Sequence, residues 1–234
     1  VMSLPKTYRV VIQFGAETDS ADYSGEIVSS KGYDGLDSSR LMDSLYGFAG
    51  WRMQTPPPVS AVKIDGVPAH KLARAGKHPD IQARPVFFRK IDVIAPYDKN
   101  TGTLELEVRC SRGTYIRSLA QDLGRISGCG AYVKSLVRTA IGKFTLESAE
   151  APESDTFRMV SLSELAKNYT RIHVGSKDSR SFTNGMSILL SNALCSHRGL
   201  TLSDELCVDG EEFIGFGKYV GYCYVQPVMV VPKG

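Results

Sequence analysis

Apolar and polar residues alternate from Thr7 to Phe14, with Tyr8, Val10, Ile12 and Phe14 on one side and Arg9, Val11 and Gln13 on the other. A period of two predicts a half-buried strand with Tyr8 at its beginning. Two further strands are expected over 84–94 and 104–110, the second burying Leu104, Leu106, Val108 and Cys110. Helical spacing occurs twice. Leu41, Met42, Leu45, Tyr46 and Ala49 recur at three- and four-residue steps behind Asp37 and Ser38, which can cap, and the pattern stops near Gly50. Ile116, Leu119, Ala120, Leu123 and Ile126 repeat the spacing behind Thr114, the expected cap, and leave Arg117 and Gln121 off the apolar stripe.

The intervening segments carry turn chemistry. Residues 17–22 are polar, and the run Pro56-Pro57-Pro58 donates no backbone hydrogen bond, so residues 54–58 must be loop or polyproline. Asp65-Gly66 predicts a tight turn between short strands, and a short helix over 70–75 stops at Gly76. Composition shifts near Lys167. Beyond it, turn signals at Asn184-Gly185, Asp209-Gly210 and Gly221 separate short strands with hardly any helical periodicity. Two domains follow, 1–167 and 168–234, the second a small β-barrel-like module.

A chain of 234 residues has room for one sizeable core and a smaller second domain. No apolar run approaches the roughly eighteen residues of a membrane span, and no secretory-signal pattern opens the chain. The five cysteines form no CxxC pair and are odd in number, which argues for reduced thiols over a zinc site or disulfide framework. A first residue of Val, not Met, is expected of a processed chain or of part of a longer one.

The net charge of +3 is uninformative until it is divided. Residues 63–143 hold fifteen Lys and Arg against seven Asp and Glu, so this middle carries a surplus of eight and the flanks are acidic. That is the footprint of a nucleic-acid contact face, although an ordinary solvated basic surface reads the same way on charge alone. One cation is oddly placed. Arg117 falls in the first turn of its helix, where the partial positive charge disfavours it by about 0.3–1 kcal/mol unless an anion compensates.

Several segments, in order, are similar to the TruB-type tRNA pseudouridine synthases: Lys6-Thr-Tyr-Arg-Val10, Glu17-Thr-Asp-Ser-Ala-Asp-Tyr-Ser-Gly25, Gln54-Thr-Pro-Pro-Pro-Val-Ser-Ala-Val-Lys63, Leu72-Ala-Arg74, Cys110-Ser-Arg-Gly-Thr-Tyr-Ile-Arg117, and Gly128-Cys-Gly-Ala131 leading to Leu136-Val-Arg-Thr139. The block ending in Arg117 is the most specific of them. The resemblance implies an α+β catalytic domain on a mixed or antiparallel sheet, followed by a small all-β, PUA-like RNA-binding domain. It implies isomerisation of a T-arm uridine in tRNA to pseudouridine, with no metal or organic cofactor, by a cytoplasmic monomer with no membrane partner.

Residue by residue, the resemblance makes Tyr8 the active-site tyrosine, Arg117 the partner of a nucleophilic aspartate, and Leu136 an apolar wall of the uracil pocket. Gln54, Ser60, Lys63, Arg112 and Arg138 become candidate RNA contacts. Val59 and His70 depart from the family, which usually has Tyr at both positions. The family's nucleophile lies in a Leu-Asp-Pro-like loop well upstream of the tyrosine strand. No such loop occurs here, and Asp19 and Asp22 match a different family segment. The nucleophile is therefore expected outside these residues, with this span alone inactive; a non-catalytic RNA-binding or tRNA-chaperone relative is the alternative. With no nucleophile beside it, Arg117 should be exposed to water, bound to an anion, or paired with another acid such as Asp22. If the basic middle faces RNA, affinity should fall steeply as salt rises, through counterion release; a flat salt titration would show that it faces elsewhere.

Overall fold

The alternation of residues 7–14 puts them inside a sheet: Val10, Ile12 and Phe14 are at most 1% exposed, while Arg9 stays open to solvent. The structure, a computed structural model, describes residues 3–76, 80–153, 158–198 and 204–233. It divides into two compact units, residues 1–149 and 150–234.

Among the described residues, the first unit runs β1 (Lys6–Phe14), β2 (Ala16–Thr18), β3 (Ile27–Ser30), α1 (Ser38–Tyr46), β4 (Gly50–Gln54), β5 (Lys63–Ile64), β6 (Val67–Pro68), α2 (Ala69–Arg74), β7 (Arg84–Asp98), β8 (Thr103–Cys110), α3 (Ile116–Ser127), β9 (Ala131–Ile141) and β10 (Phe144–Thr145). A six-stranded antiparallel sheet has the order β10-β9-β1-β8-β7-β4. One sheet face carries Val10, Ile12, Phe14, Leu104, Leu106, Val108 and Phe88, and packs against Leu119 and Leu123 of α3 and Leu41 and Leu45 of α1. Asp37 caps α1 by accepting from the Ser39 and Arg40 amides. Asp65 and Gly66 both have positive φ, +49° and +83°, as a two-residue hairpin turn of the primed type requires.

The first strand of the second unit follows a helix: α4 (Leu162–Ala166), β11 (Thr170–His173), α5 (Ser176–Thr183), β12 (Ile188–Leu189), α6 (Asn192–Arg198), β13 (Glu205–Asp209), β14 (Phe213–Gly221) and β15 (Tyr224–Pro232). Its sheet has the order β11-β13-β14-β15-β12, antiparallel apart from the β11–β13 pair. This is the β-rich module expected from the turn spacing, with short helices added. Helix α5 shows no apolar period in the sequence because its buried anchor is the lone Phe182. The composition shift at Lys167 predicts a later boundary than the observed division after Ala149. Ala166 at the end of α4 packs with Cys207, Ile214 and Phe216 of the second unit, so the helix preceding Lys167 belongs there. No described helix is long and apolar enough to cross a membrane.

Helix α3 lies close to the start of β9. A Cβ on Gly124 would stand 2.2 Å from the Ala131 nitrogen and 2.5 Å from the Gly130 carbonyl carbon, both backbone atoms that cannot swing aside. Gly124→Ala should therefore destabilise the first unit by about 2–3 kcal/mol despite the better helix propensity of Ala, read as a lowered urea midpoint.

Candidate active site

Arg117 is the second residue of α3, and acceptors from two loops converge on it. Its Nη1 donates to the Ser20 carbonyl at 3.0 Å and to Asp22 Oδ2 at 3.3 Å, and its Nη2 donates to the Val59 carbonyl at 2.8 Å. A carboxylate thus offsets the unfavourable placement of a cation at a helix N-terminus. Both side chains of the Arg117–Asp22 pair are about one-fifth exposed (21% and 22%), so solvent screens the pair only in part. Val59 contributes its backbone carbonyl, so its departure from the family tyrosine leaves this contact intact.

Asp22 is itself tied down. Its Oδ1 accepts from the Ser20 hydroxyl at 2.8 Å, the Ser24 amide at 3.0 Å and the Ser24 hydroxyl at 2.5 Å. Burial pushes this carboxyl up, but the hydrogen bonds from Ser24 and Ser20 and the charge of Arg117 outweigh it and hold Asp22 below the usual carboxylate value. The loop between β2 and β3 is stitched to β9: Val133 donates to the Ala21 carbonyl at 3.0 Å and accepts from the Tyr23 amide at 2.9 Å. Ala21 sits there at φ +61°, a strained position for a residue with a Cβ that these bonds help to maintain.

The first turn of α3 has a second anchor. Thr114 is the expected cap, but Tyr115 takes the N-cap position and makes no side-chain cap, while Thr114 Oγ1 lies 3.3 Å from Ser111 Oγ. Gln54 fills the role from the end of β4: its Oε1 accepts from the Tyr115 amide at 2.8 Å and its Nε2 donates to the Tyr115 carbonyl at 3.0 Å. The Ser118 hydroxyl then donates to the Thr55 carbonyl at 2.8 Å. This arrangement places two candidate RNA contacts inside the fold. Gln54 is 4% exposed, with its amide spent on Tyr115, and Ser60 is 5% exposed. The Ser60 carbonyl accepts from the His70 amide at 3.0 Å and lies 3.1 Å from the His70 ring, which makes His70 a loop-packing residue.

Tyr8 stands opposite Arg138 on β9 and Val108 on β8, and Val10 stands opposite Leu136. Paired residues share a sheet face, so Tyr8, Leu136 and Arg138 lie on the same side as the core residue Val10. A register shift between Thr7 and Tyr8 marks a bulge at this spot, and bulges commonly re-aim side chains beside active sites. Leu136 is 42% exposed and Tyr8 is half-buried. Burial raises the Tyr8 hydroxyl above its ordinary pKa, helped by Cys110 and opposed by Arg138, which keeps it a neutral phenol. Burial followed by the charge of Arg138, with a smaller effect of Arg112, lowers Lys6. Three cations therefore gather at the Tyr8 end of β1, two of them, Arg112 and Arg138, exposed. Lys63 is exposed on β5. Residue type does not distinguish Lys6 from the other lysines; its crowding by two guanidiniums does. Burial also pushes the Cys110 thiol up to about 11, as suits an inert structural cysteine. Among the described residues, no three His, Cys, Asp or Glu side chains group so as to hold a metal.

The chain matches the family model "TruB family pseudouridylate synthase (N terminal domain)" over residues 1–116 and "tRNA pseudouridylate synthase B C-terminal domain" over residues 117–189. It is 34% identical over 230 residues to the tRNA pseudouridine synthase B of Ralstonia nicotianae, covering 94% of this chain and 73% of that protein. It is 41% identical over 156 residues to the protein of the same name from Bordetella parapertussis, covering 66% and 63%. With the Parasynechococcus marenigrum protein of that name it shares 44% over 151 residues, covering 64% and 52%. The fold is similar to a chain of a Cbf5-Nop10-Gar1 complex, with TM-score 0.61 at 15% identity, covering all of this chain and 67% of that one. A chain of an H/ACA ribonucleoprotein bound to a substrate RNA containing 2'-deoxyuridine gives 0.51 at 13%, covering 94% and 60%.

Because Asp22 is depressed in the folded state, its contribution to stability is complete above the unfolded carboxylate pKa and is lost as pH falls through the lower folded value. Asp22→Asn should cost about 2 kcal/mol at neutral pH and flatten the fall in stability below about pH 4. Denaturant midpoints across pH test this: equal acid slopes in both proteins would show that Asp22 is not held in this way.

Proposed function

The chain belongs to the TruB family of pseudouridylate synthases, and we propose that it forms the tRNA-binding, uridine-holding part of a synthase that converts a T-arm uridine to pseudouridine. The observation that carries this reading is the guanidinium of Arg117, fixed at a helix N-terminus by three acceptors while a guanidinium has five donors. Its remaining donors suit a second carboxylate, which the positive charge would keep ionised and aimed. In this reading the nucleophilic aspartate comes from outside residues 1–234, and this span alone turns over nothing.

The reaction breaks the bond from N1 to the sugar and forms one from C5 to the sugar; C5 loses a proton and N1 gains one. The rearrangement is redox-neutral, and the resemblance implies no cofactor for it. Swinging the uridine out of the RNA costs a few kcal/mol, which stacking on Tyr8, worth about 1–3 kcal/mol, helps to offset. Leu136 forms the apolar wall beside it. The Tyr8 hydroxyl, kept protonated by burial, relays a proton instead of standing as a phenolate base. Lys6, Arg112 and Arg138 receive phosphates around the pocket and Lys63 receives one farther along the chain, contacts that position RNA without reading its sequence.

One observation favours a binding-only relative: Asp22 already provides Arg117 with an anion. Arg117→Met, made in protein that includes the nucleophile-bearing segment, separates the two readings. Turnover, followed as release of the C5 hydrogen, should drop about 100-fold or more while T-arm affinity changes far less. Unchanged turnover would remove Arg117 from the chemistry, and RNA binding with no turnover in the unaltered protein would favour the binder.

A further inference from the structure

Trp51, the chain's one tryptophan, lies 69% exposed on β4, an edge strand of the six-stranded sheet. Trp51 is paired with Phe87 and Met53 with Pro85. The intervening positions Gln54, Val86 and Phe88 are buried on the core side, so alternation turns Trp51, Met53 and Phe87 to the opposite face. The Trp51 and Phe87 rings have centroids 5.2 Å apart at 52°, and the Arg89 guanidinium carbon stands 5.9 Å from the Phe87 centroid. Met53 extends the apolar row at 66% exposure. An indole left this open forgoes the stabilisation of burial, and a contiguous row of such residues marks a contact surface.

The charge around the row selects its partner. Arg89, two residues after Phe87, lies beside the row, whereas Arg52 and Arg84 pair with Val86 and Gln54 and belong to the other face. Lys90 pairs with Asp92 at 2.8 Å, and Arg109 of β8 stands opposite Lys90. Among the described residues, no carboxylate pairs with Arg89 or Arg109. Guanidiniums beside an aromatic row suit an anionic partner that has flat apolar faces. A base has a π-face for the rings and a phosphate for the rim. The row also joins the site structurally: the Ser111 amide donates to the Phe87 carbonyl at 2.8 Å and the Ser111 hydroxyl accepts from the Phe87 amide at 3.0 Å. The next residue, Arg112, belongs to the cations around Tyr8.

We propose that Trp51 and Phe87 form a stacking platform for an unpaired base of RNA, with Arg89 and Arg109 on the adjoining phosphates, on the sheet face opposite Tyr8 and distinct from the uridine pocket. The inference rests on the RNA-binding reading above. Because Trp51 is the sole tryptophan, its fluorescence reports on the platform directly. A T-arm stem-loop RNA with single-stranded flanks should quench that emission saturably. In fluorescence anisotropy with labelled RNA, Trp51→Ala should weaken binding about tenfold, and Trp51→Phe should restore most of the loss, with thermal midpoints near wild type because the side chain is exposed. RNA bound without quenching, and as tightly by Trp51→Ala, overturns the platform and leaves the synthase reading standing. No RNA bound by the unaltered protein removes both. A Trp51 emission shift that follows protein concentration without RNA assigns the face to a second copy of this chain, and also overturns the proposal.

Discussion

One positive charge in the first turn of α3 organises the first unit around it. A helix N-terminus opposes that charge, and partial burial withholds water from it, so the chain must bring acceptors to Arg117. It brings the Ser20 carbonyl and Asp22 from the loop after β2, and the Val59 carbonyl from the loop after β4. Leaving a buried charge without its partner costs about 3–5 kcal/mol, several times the roughly 1 kcal/mol net of an ordinary hydrogen bond. The loop after β2 thus takes its position largely from a guanidinium, and the loop after β4, which also buries Pro56, Pro57 and Val62, is tied to the same charge.

The same helix end is supported from a strand. Gln54 exchanges both of its amide hydrogen bonds with the Tyr115 backbone, and Ser118 holds the Thr55 carbonyl. Tyr8, Leu136 and Arg138 come from paired strands, on the sheet face that packs against this helix. Candidate groups on strands and a helix are held more closely than groups on loops, which suits chemistry at a single base. The sheet then has two useful faces at one end, one with Tyr8 and its cations, the other with Trp51 and Phe87, joined through Ser111.

Periodic features were readable from the residues because burial imposes them. Leu104, Leu106, Val108 and Cys110 are all fully buried, and Leu119 and Leu123 meet them from α3. The turn at Asp65-Gly66 was readable because few other pairs accept two positive φ angles. Strand β4 was not, since Trp51, Arg52 and Met53 are all exposed and an edge strand with little burial shows no alternation. Thr114 is a sound cap by type, yet Gln54, sixty residues earlier, provides the bond. Gln54 and Ser60 look solvent-facing by polarity, and only the fold of the proline loop buries them.

By itself the sequence determined the strands over 7–14, 84–94 and 104–110, the two main helices, the cationic middle and the identity of Arg117 as a charge in need of an anion. Each of these depends on residues within one or two turns of the chain, or on summed charge. The tertiary structure decided that Asp22 answers that charge, that Lys6 stands among two guanidiniums, and that Trp51 and Phe87 meet in the open. These are distance relations between segments far apart in the chain, and electrostatics and ring contacts fall off over a few ångströms of space whatever the separation in sequence.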